Sequence, residues 1–522
     1  MRKIRLSSTF GVVDLFAGPG GLGEGFASLR VGDHAPFRIG ISVEREASAH
    51  RTLTLRAFIR EYRDRHGCLP APFIDFHAGR STEPDWSQAD PSVWKLATQE
   101  ARCLELGNAD ATSQIDAAID RIRGKYDDMI LIGGPPCQAY SLVGRARSRG
   151  KRDYVPEEDH RHYLFREYIR VLRKLQPAAF VMENVKGMLS STVESRLVFE
   201  MLMEDLSSLG TTNGHLYELR AIMVDGDQIA LRDITHPADF VVRAERFGIP
   251  QRRHRVIIVG LRSDVASAAD AVATVPVAPG PRSVEEVIGT LPMLRSGISK
   301  GQDSQDAWAD IVGQAALQLG SVTGIGDASK FHKEYMRLFE RFSRGTRLPR
   351  SSHSLPQGYG TAGDDELMAW LENPKLTAIA QHETRGHMAA DLARYLFVSV
   401  HGKIRRTSPK TFEFPEMLRP QHRNWDSGDF ADRFRVQLAS EPSTTITSHI
   451  SKDGHYFIHY DPAQCRALTV REAARLQTFP DEYLFLGNRT QQYVQVGNAV
   501  PPFLARQIAR LLFSTLRAAP RN

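Results

Sequence analysis

Short apolar runs alternate with stretches whose apolar residues recur at helical spacing over roughly the first 260 residues. Val12-Val13-Asp14-Leu15-Phe16 reads as a first strand and Arg38 to Val43 as a second, with Met129 to Ile132, Ala179 to Met182 and Val256 to Val259 as three more. Between them, His162 to Leu175 places Leu164, Tyr168, Val171, Leu172 and Leu175 on one helical face, and Pro177 stops the helix. This alternation predicts an α/β domain with a largely parallel sheet. From Ser263 to Arg282 the texture shifts to Ala, Val, Pro and Ser, which reads as a linker or boundary. Ser296 to Asp306 is a second polar, glycine-bearing stretch, and the chain from there to about Tyr460 reads as irregular. The α/β texture returns with a helical stretch from Leu468 to Phe479 and an apolar final helix from about Phe503 to Leu516. No repeat is evident. The pattern predicts one fold over residues 1–265, an insert over 266–460, and a segment, 461–522, that returns to close the first domain.

Composition narrows the classes. A chain of 522 residues exceeds one ordinary core, and 42% hydrophobic with 25% charged residues describes a globular protein. No run approaches the twenty or so apolar residues that span a bilayer, and Met1 to Phe10 is too short and polar for a secretory leader. The four cysteines are scattered without a CxxC pair, which argues against a disulfide framework or zinc ribbon and favours a reducing cytoplasm. A net charge of +6 and a pI near 9.1 favour an anionic partner. Two clusters concentrate that charge: Arg145, Arg147, Arg149, Lys151 and Arg152, then Arg252, Arg253, His254 and Arg255. Either suits a solvated face or a set of phosphate contacts.

Candidate chemistry sits at strand ends. Cys137 follows Gly133-Gly134-Pro135-Pro136 just after an apolar strand, and two prolines hold it on a stiff backbone that suits a positioned nucleophile; a buried, inert cysteine is the alternative. Gly18-Pro19-Gly20-Gly21-Leu22-Gly23 follows the first strand and matches G-x-G-x-x-G, where glycines let a ligand approach the backbone. Glu44 ends the second strand, where a carboxylate can accept both hydroxyls of a ribose. These two features suit NAD and S-adenosylmethionine equally well.

What accompanies them is more specific. Asp14-Leu15-Phe16-Ala17-Gly18-Pro19-Gly20-Gly21 and Gly134-Pro135-Pro136-Cys137-Gln138 resemble two motifs of the DNA (cytosine-5) methyltransferase family. Glu183-Asn184-Val185, Gln251-Arg252-Arg253-His254-Arg255, Arg466 to Pro480, and Gln495 to Pro501 resemble four more, in the family's order. The resemblance implies a class I methyltransferase fold, with a Rossmann-like, mostly parallel mixed sheet and helices on both faces, plus a smaller, irregular target-recognition domain in the unmatched interval of about 265–460. It implies S-adenosylmethionine, held by Phe16, Gly18, Gly20, Gly21, Glu44, Asp110, Pro135 and Asn498; whether Asn108 or Asp110 takes the adenine contact stays open. No metal is expected.

The resemblance also implies roles. Cytosine carbon 5 is too electron-poor to take a methyl group directly, and a thiolate adding at carbon 6 makes carbon 5 nucleophilic. Cys137 is the expected nucleophile and Glu183 the acid near ring nitrogen 3. Arg255 is expected at the cytosine carbonyl oxygen, Arg253 at a phosphate or at the loop around Cys137, and Asn184 at the base's amino group. No residue declares itself as the base that removes the carbon 5 proton, which leaves water. The target base must leave the duplex stack, and the loop from Gly144 to Arg152, hinged at Gly144 and Gly150, is the candidate to close behind it.

In the insert, His382-Glu383-Thr384-Arg385-Gly386-His387 spaces its histidines five apart, off a common helical face, so it is not the zinc motif HExxH; a helix start with polar contacts is expected, leading into an amphipathic helix. Arg385, Lys403, Arg405 and Arg406 are candidate DNA contacts, and the hydroxyls of Ser443-Thr444-Thr445-Ile446-Thr447 suit a phosphate or a turn cap. The reading is a monomeric, cytoplasmic enzyme acting on double-stranded DNA, with a restriction endonuclease or other defence partner. The alternatives are methylation of tRNA, an NAD-dependent oxidoreductase, and a non-catalytic DNA-binding module that has kept the fold.

Overall fold

The computed structural model describes the chain apart from residues 1, 4–7, 137–163, 194–195, 208, 210–215, 267–272, 323–326, 346, 421–432, 519 and 522. Cys137, the basic cluster from Arg145 to Arg152 and the proposed loop hinges therefore lie outside the described residues.

Ten strands join in one sheet: β1 Phe10–Leu15, β2 Phe37–Glu44, β3 Ala101–Cys103, β4 Asp128–Gly133, β5 Ala179–Val185, β6 Tyr217–Asp225, β7 Gln228–Arg232, β8 Val241–Arg243, β9 His254–Arg262 and β10 Thr274–Pro276. Their order across the sheet is β10-β7-β6-β9-β5-β4-β1-β2-β3, with β8 pairing β9 off this path. The pairs β3-β2, β2-β1, β1-β4 and β4-β5 are parallel, while β9 runs antiparallel to both β5 and β6. The first half is thus the expected parallel α/β sheet, and an antiparallel group completes it.

The period of two divides each central strand between two cores. Val12, Ile130, Ile132, Val181, Ile257 and Val259 face one core with Leu22 and Phe26 of α1 (Gly21–Ala27). Val13, Leu15, Ile41, Leu131, Phe180 and Met182 face the other with Ile115 and Ile119. The latter pair belongs to the helix Ala109–Ile122, and Tyr168 and Leu172 of the helix Leu164–Leu175 join them. The final helix, Pro502–Ala518, lies in the first core through Leu504, Ile508 and Leu512. Its contact with α1 is close: a Cβ at Gly25 would fall 2.4 Å from that of Ala505. The closing segment therefore completes one of the two layers that cover the sheet.

Two expectations change. The stretch from Ser263 to Arg282 is not a free linker. Thr274–Pro276 pairs with β7, and Val275 and Ala278 are buried in the first core together with Val284, Val287 and Ile288. The insert is not irregular either. Helices Gln305–Gly320, Ala328–Ser343 and Ala389–Arg405 pack around a separate core of Trp308, Val312, Tyr335, Leu338, Leu396 and Val400. The spacing of these residues is helical, but Ala, Gln and Gly between them dilute the pattern.

Candidate active site

Among the described residues, the Gly18 turn, Glu44, Glu183 and Arg255 lie at the end of the sheet where β1, β2 and β5 finish and β9 begins. β1 stops at Leu15, and the backbone turns through left-handed conformations at Phe16 (φ 57°), Gly18 (φ 58°) and Gly20 (φ 100°) before α1 starts. Glu44, the last residue of β2, fixes this turn: its Oε2 accepts the Gly18 N–H at 2.8 Å and its Oε1 the Glu46 N–H at 2.7 Å. The closing segment braces the turn from behind. A Cβ at Gly21 would lie 2.2 Å from the Val500 carbonyl oxygen, and the Tyr483 hydroxyl donates to the Pro19 carbonyl. A Cβ at Gly18 would meet nothing within 4 Å. The loop is thus braced on one side and open on the other, the form of a cradle for a ligand.

Beneath the cradle, Asp14 is buried, with its carboxyl against the backbone of Gly23 in α1. Burial, reinforced by Glu100 and Glu44, holds its carboxyl well above the usual carboxylate range. Asn108 caps the helix Ala109–Ile122, its side chain accepting the Ala111 N–H at 2.8 Å. Asp110 stands exposed one turn into that helix, where it accepts from Gln114 at 2.9 Å. Asn498 is exposed at the end of the helix Arg489–Asn498.

The second half of the site is an ion pair. Arg255 Nε lies 2.9 Å from Glu183 Oε1, joining the end of β5 to the start of β9. A Cβ at Gly134 would fall 3.0 Å from Glu183 Oε2, so the backbone leading to Cys137 runs directly against this carboxylate. Asn184 ties the same backbone down: its amide donates to the Pro135 carbonyl at 3.1 Å, while its own carbonyl accepts the Val185 N–H. The buried Asn184 side chain therefore positions the strand end.

The basic cluster divides residue by residue. Arg252 pairs with Glu441, and His254 lies 2.8 Å from Glu245. Arg253 is only 2% exposed and donates to the carbonyls of Ile446 at 2.8 Å and Gly497 at 3.3 Å. Burial, with Arg255 nearby, pulls its pKa well below the usual arginine value. A guanidinium so enclosed cannot reach a phosphate, which corrects that expectation: Arg253 holds the closing helix and the threonine segment against β9. Gln251, which the sequence did not single out, does related work. Its amide donates to the Leu476 carbonyl at 3.2 Å, and its carbonyl accepts the Ile446 N–H at 2.8 Å.

Comparison with known proteins identifies this arrangement. A family model for the C-5 cytosine-specific DNA methylases matches residues 99–292 and 372–514. The chain belongs to that family. The type II methyltransferase M.Bpa9945I of Bacillus paralicheniformis is 33% identical over 517 residues, covering 96% of this chain and 97% of that protein. The type II methyltransferase M.AgeI of Thalassovita gelatinovora is 26% identical, covering 96% and 98%. The DNA (cytosine-5-)-methyltransferase M.ApeKI of Aeropyrum pernix is 26% identical, covering 75% and 82%. This protein is accordingly a C-5 cytosine DNA methyltransferase, which requires a methyl donor and a DNA substrate; tRNA methylation and nicotinamide chemistry are not favoured.

In this methyltransferase the insert's motifs prove to be joints. His382 bridges the Pro292 carbonyl and the Thr469 hydroxyl, and His387 bridges Ser296 and the Asp453 carbonyl. The expected helix start there is instead a two-residue strand, Gly386–His387, paired with Gly297–Ile298, and the helix begins at Ala389. Ser443–Thr444 pairs in parallel with Gln251–Arg252. Of the candidate DNA contacts, Lys403 pairs with Glu334 and Arg405 with Glu413, while Arg406 is exposed.

Proposed function

We propose that this methyltransferase moves a methyl group from S-adenosylmethionine to carbon 5 of a cytosine flipped out of duplex DNA, through a transient bond from Cys137 to carbon 6. The observation that supports this most directly is the Glu183–Arg255 pair packed against Gly134, three residues before the thiol. The open Gly18 turn and the Glu44 carboxylate that accepts its N–H fit a compact nucleoside donor. Phe16, Gly18, Gly20, Gly21, Glu44, Asp110, Pro135 and Asn498 would hold it. When bound, S-adenosylmethionine supplies an electrophilic methyl group on a sulfonium.

The chain's own residues do the rest. Cys137 attacks carbon 6 as thiolate, and the ring electrons move toward nitrogen 3 and the carbonyl oxygen. Glu183 passes to nitrogen 3 a proton it has taken up from solvent, and Arg255 stabilises charge on the oxygen. Carbon 5 then takes the methyl group, water removes its proton, and that electron pair restores the carbon 5–carbon 6 double bond as Cys137 leaves as thiolate and nitrogen 3 returns its proton to Glu183. Asn184 and Arg253 act by holding the strand end and the threonine segment in place. The relatives' type II designations support a modification role beside a cognate restriction endonuclease in the cytoplasm.

The test is transfer of label from S-adenosylmethionine to carbon 5 of cytosine in unmethylated genomic DNA, with sequencing to locate the target. Cys137→Ser should abolish turnover and covalent trapping on a 5-fluorocytosine duplex while leaving donor binding intact. Methylation by that variant, or label passing to tRNA alone, would overturn the reading.

A further inference from the structure

Arg385 lies in the insert's His382–His387 motif, yet its side chain reaches out of the insert's own helices to the 448–452 turn and to Tyr493. Its Nη2 donates to the Ile450 carbonyl at 2.8 Å and its Nη1 to the Lys452 carbonyl at 3.0 Å, so the fork closes on the C-terminal end of the short helical turn Ser448–Ser451. The guanidinium also stacks 4.5 Å from the ring centroid of Tyr493, in the helix Arg489–Asn498. Tyr493 is itself locked, its hydroxyl donating to the Leu468 carbonyl at 2.6 Å. The backbone of Arg385 belongs to the insert, because its carbonyl accepts the Gly297 N–H at 3.0 Å.

The turn held by this fork has no freedom against the helix. A Cβ at Gly497 would lie 2.2 Å from the Thr447 carbonyl carbon and 2.3 Å from the Ser448 nitrogen. Arg253 pins the same junction from β9 through Ile446 and Gly497. The Thr444 and Thr445 hydroxyls donate to Gln437 and to the Arg252 carbonyl, while Thr447, Ser448 and His449 are half-buried, so a phosphate backbone can approach this segment. A load placed on this segment by DNA therefore reaches the helix that ends at Asn498.

We propose that Arg385 is a positioning residue that couples DNA engagement by the insert to donor binding at Asn498, by clamping the 447–452 turn between the two. This rests on the reading that the enzyme uses duplex DNA and S-adenosylmethionine. Coupling of this kind is reciprocal, and it needs one element whose position both ligands bias. The fork and the stacking are what a lysine cannot reproduce together.

The experiment measures the affinity of the full-length enzyme for S-adenosylhomocysteine, with and without saturating unmethylated genomic DNA. The wild type should bind the nucleoside at least about fivefold more tightly with DNA present, the lower end of the usual range for coupled sites. Arg385→Met should keep the DNA-free affinity within about twofold and lose most of that enhancement, with Arg385→Lys falling between. An unchanged enhancement in Arg385→Met overturns the proposal, as does an equal loss of affinity with and without DNA, which would mark a merely structural role. If Arg385→Met fails to fold, Arg385→Lys decides alone, and wild-type enhancement in it overturns the proposal. A wild type that methylates DNA without any enhancement also overturns the coupling while leaving the reaction intact; one that fails to methylate DNA removes the reading beneath it.

Discussion

In the closing segment, Arg466, Arg471 and Arg475 are fully buried, whereas the helical bundle of the insert buries Trp308, Tyr335, Leu338 and Leu396 and leaves Arg337 and Glu340 at its surface. The buried arginines reach far along the chain. Arg466 pairs with Glu472 and donates to the Leu294 carbonyl; Arg471 donates to the carbonyls of Ala380, Pro480 and Tyr483; Arg475 pairs with Asp481 and donates to the Val287 carbonyl. An apolar core accepts any arrangement that fills its volume, but a desolvated guanidinium accepts only one that presents every acceptor. The two regions therefore divide the labour. The bundle supplies a body, and the arginine joint fixes one register between the insert, the sheet and the cofactor loop. That such a joint specifies arrangement more than it adds stability is itself a hypothesis, which substitution can test.

The largest effect is expected at Arg475. Replacing it with Met strips Asp481 of its two-pronged partner and leaves only Arg471, 3.8 Å away, to offset the buried charge, a loss of about 3 kcal/mol by analogy with other broken buried pairs. Tyr483, which braces the glycine turn through the Pro19 carbonyl, follows Asp481 by two residues, so donor binding should fall with stability. Chemical denaturation and S-adenosylhomocysteine titration read both. A cost under about 1 kcal/mol would place the joint among ordinary surface pairs and break the comparison.

Acid should act on the same joint. Burial lowers the pKa of His382 from 6.5 to about 4, and those of His387 and His459 to about 3. These histidines face Glu472 and Arg466 (His382 and His459), Asp461 (His459), and Arg385, His455 and Asp453 (His387). Each is neutral when folded and binds a proton near pH 6.5 once unfolded. The unfolded state thus holds more protons between about pH 6.5 and the lowered values, and stability falls as pH drops through that window. The slope should approach about 1.4 kcal/mol per pH unit for each histidine that contributes fully. Glu482, lowered from 4.5 to about 2 chiefly by Arg56 and Arg63 against its burial, adds a loss of the same sign below pH 4.5. His382→Gln should flatten the profile between pH 6.5 and 4; an unchanged slope would remove His382 from the joint.

The two regions also differ in how much of them the sequence reveals. The strands from Val12, Met129 and Ala179 and the final helix near Phe503 stand almost where their apolar runs predict, because a parallel sheet buried on both faces needs unbroken apolar segments. β6 and β7 escape notice, since Tyr217–Asp225 and Gln228–Arg232 are only partly buried. The placement of Glu183 and Arg255 at strand ends is legible in the sequence, and there the two side chains pair. Burial is not. Nothing in Gln251-Arg252-Arg253-His254-Arg255 distinguishes the enclosed Arg253 from the surface-paired Arg252, because that depends on where Ile446 and Gly497 fold back. The role of Arg385 is hidden for the same reason: its partners lie 65, 67 and 108 residues further along.

The smallest effect should come from the bundle's surface, where Arg337 makes a two-pronged pair with Glu334 at 2.6 and 2.9 Å. By geometry this pair is as good as Arg475–Asp481. Arg337 is close to half exposed, however, so water already solvates both groups in the unpaired state and salt screens their attraction. Lys403, 2.9 Å from the same carboxylate, would keep Glu334 partnered after Arg337 is lost. Arg337→Ala should therefore cost under about 1 kcal/mol, shrink further in high salt, and leave methyl transfer unchanged. Measuring it beside Arg475→Met compares two arginine–carboxylate forks of nearly equal geometry that differ chiefly in solvent access. If the two substitutions cost the same, burial is not what distinguishes the joint from the bundle.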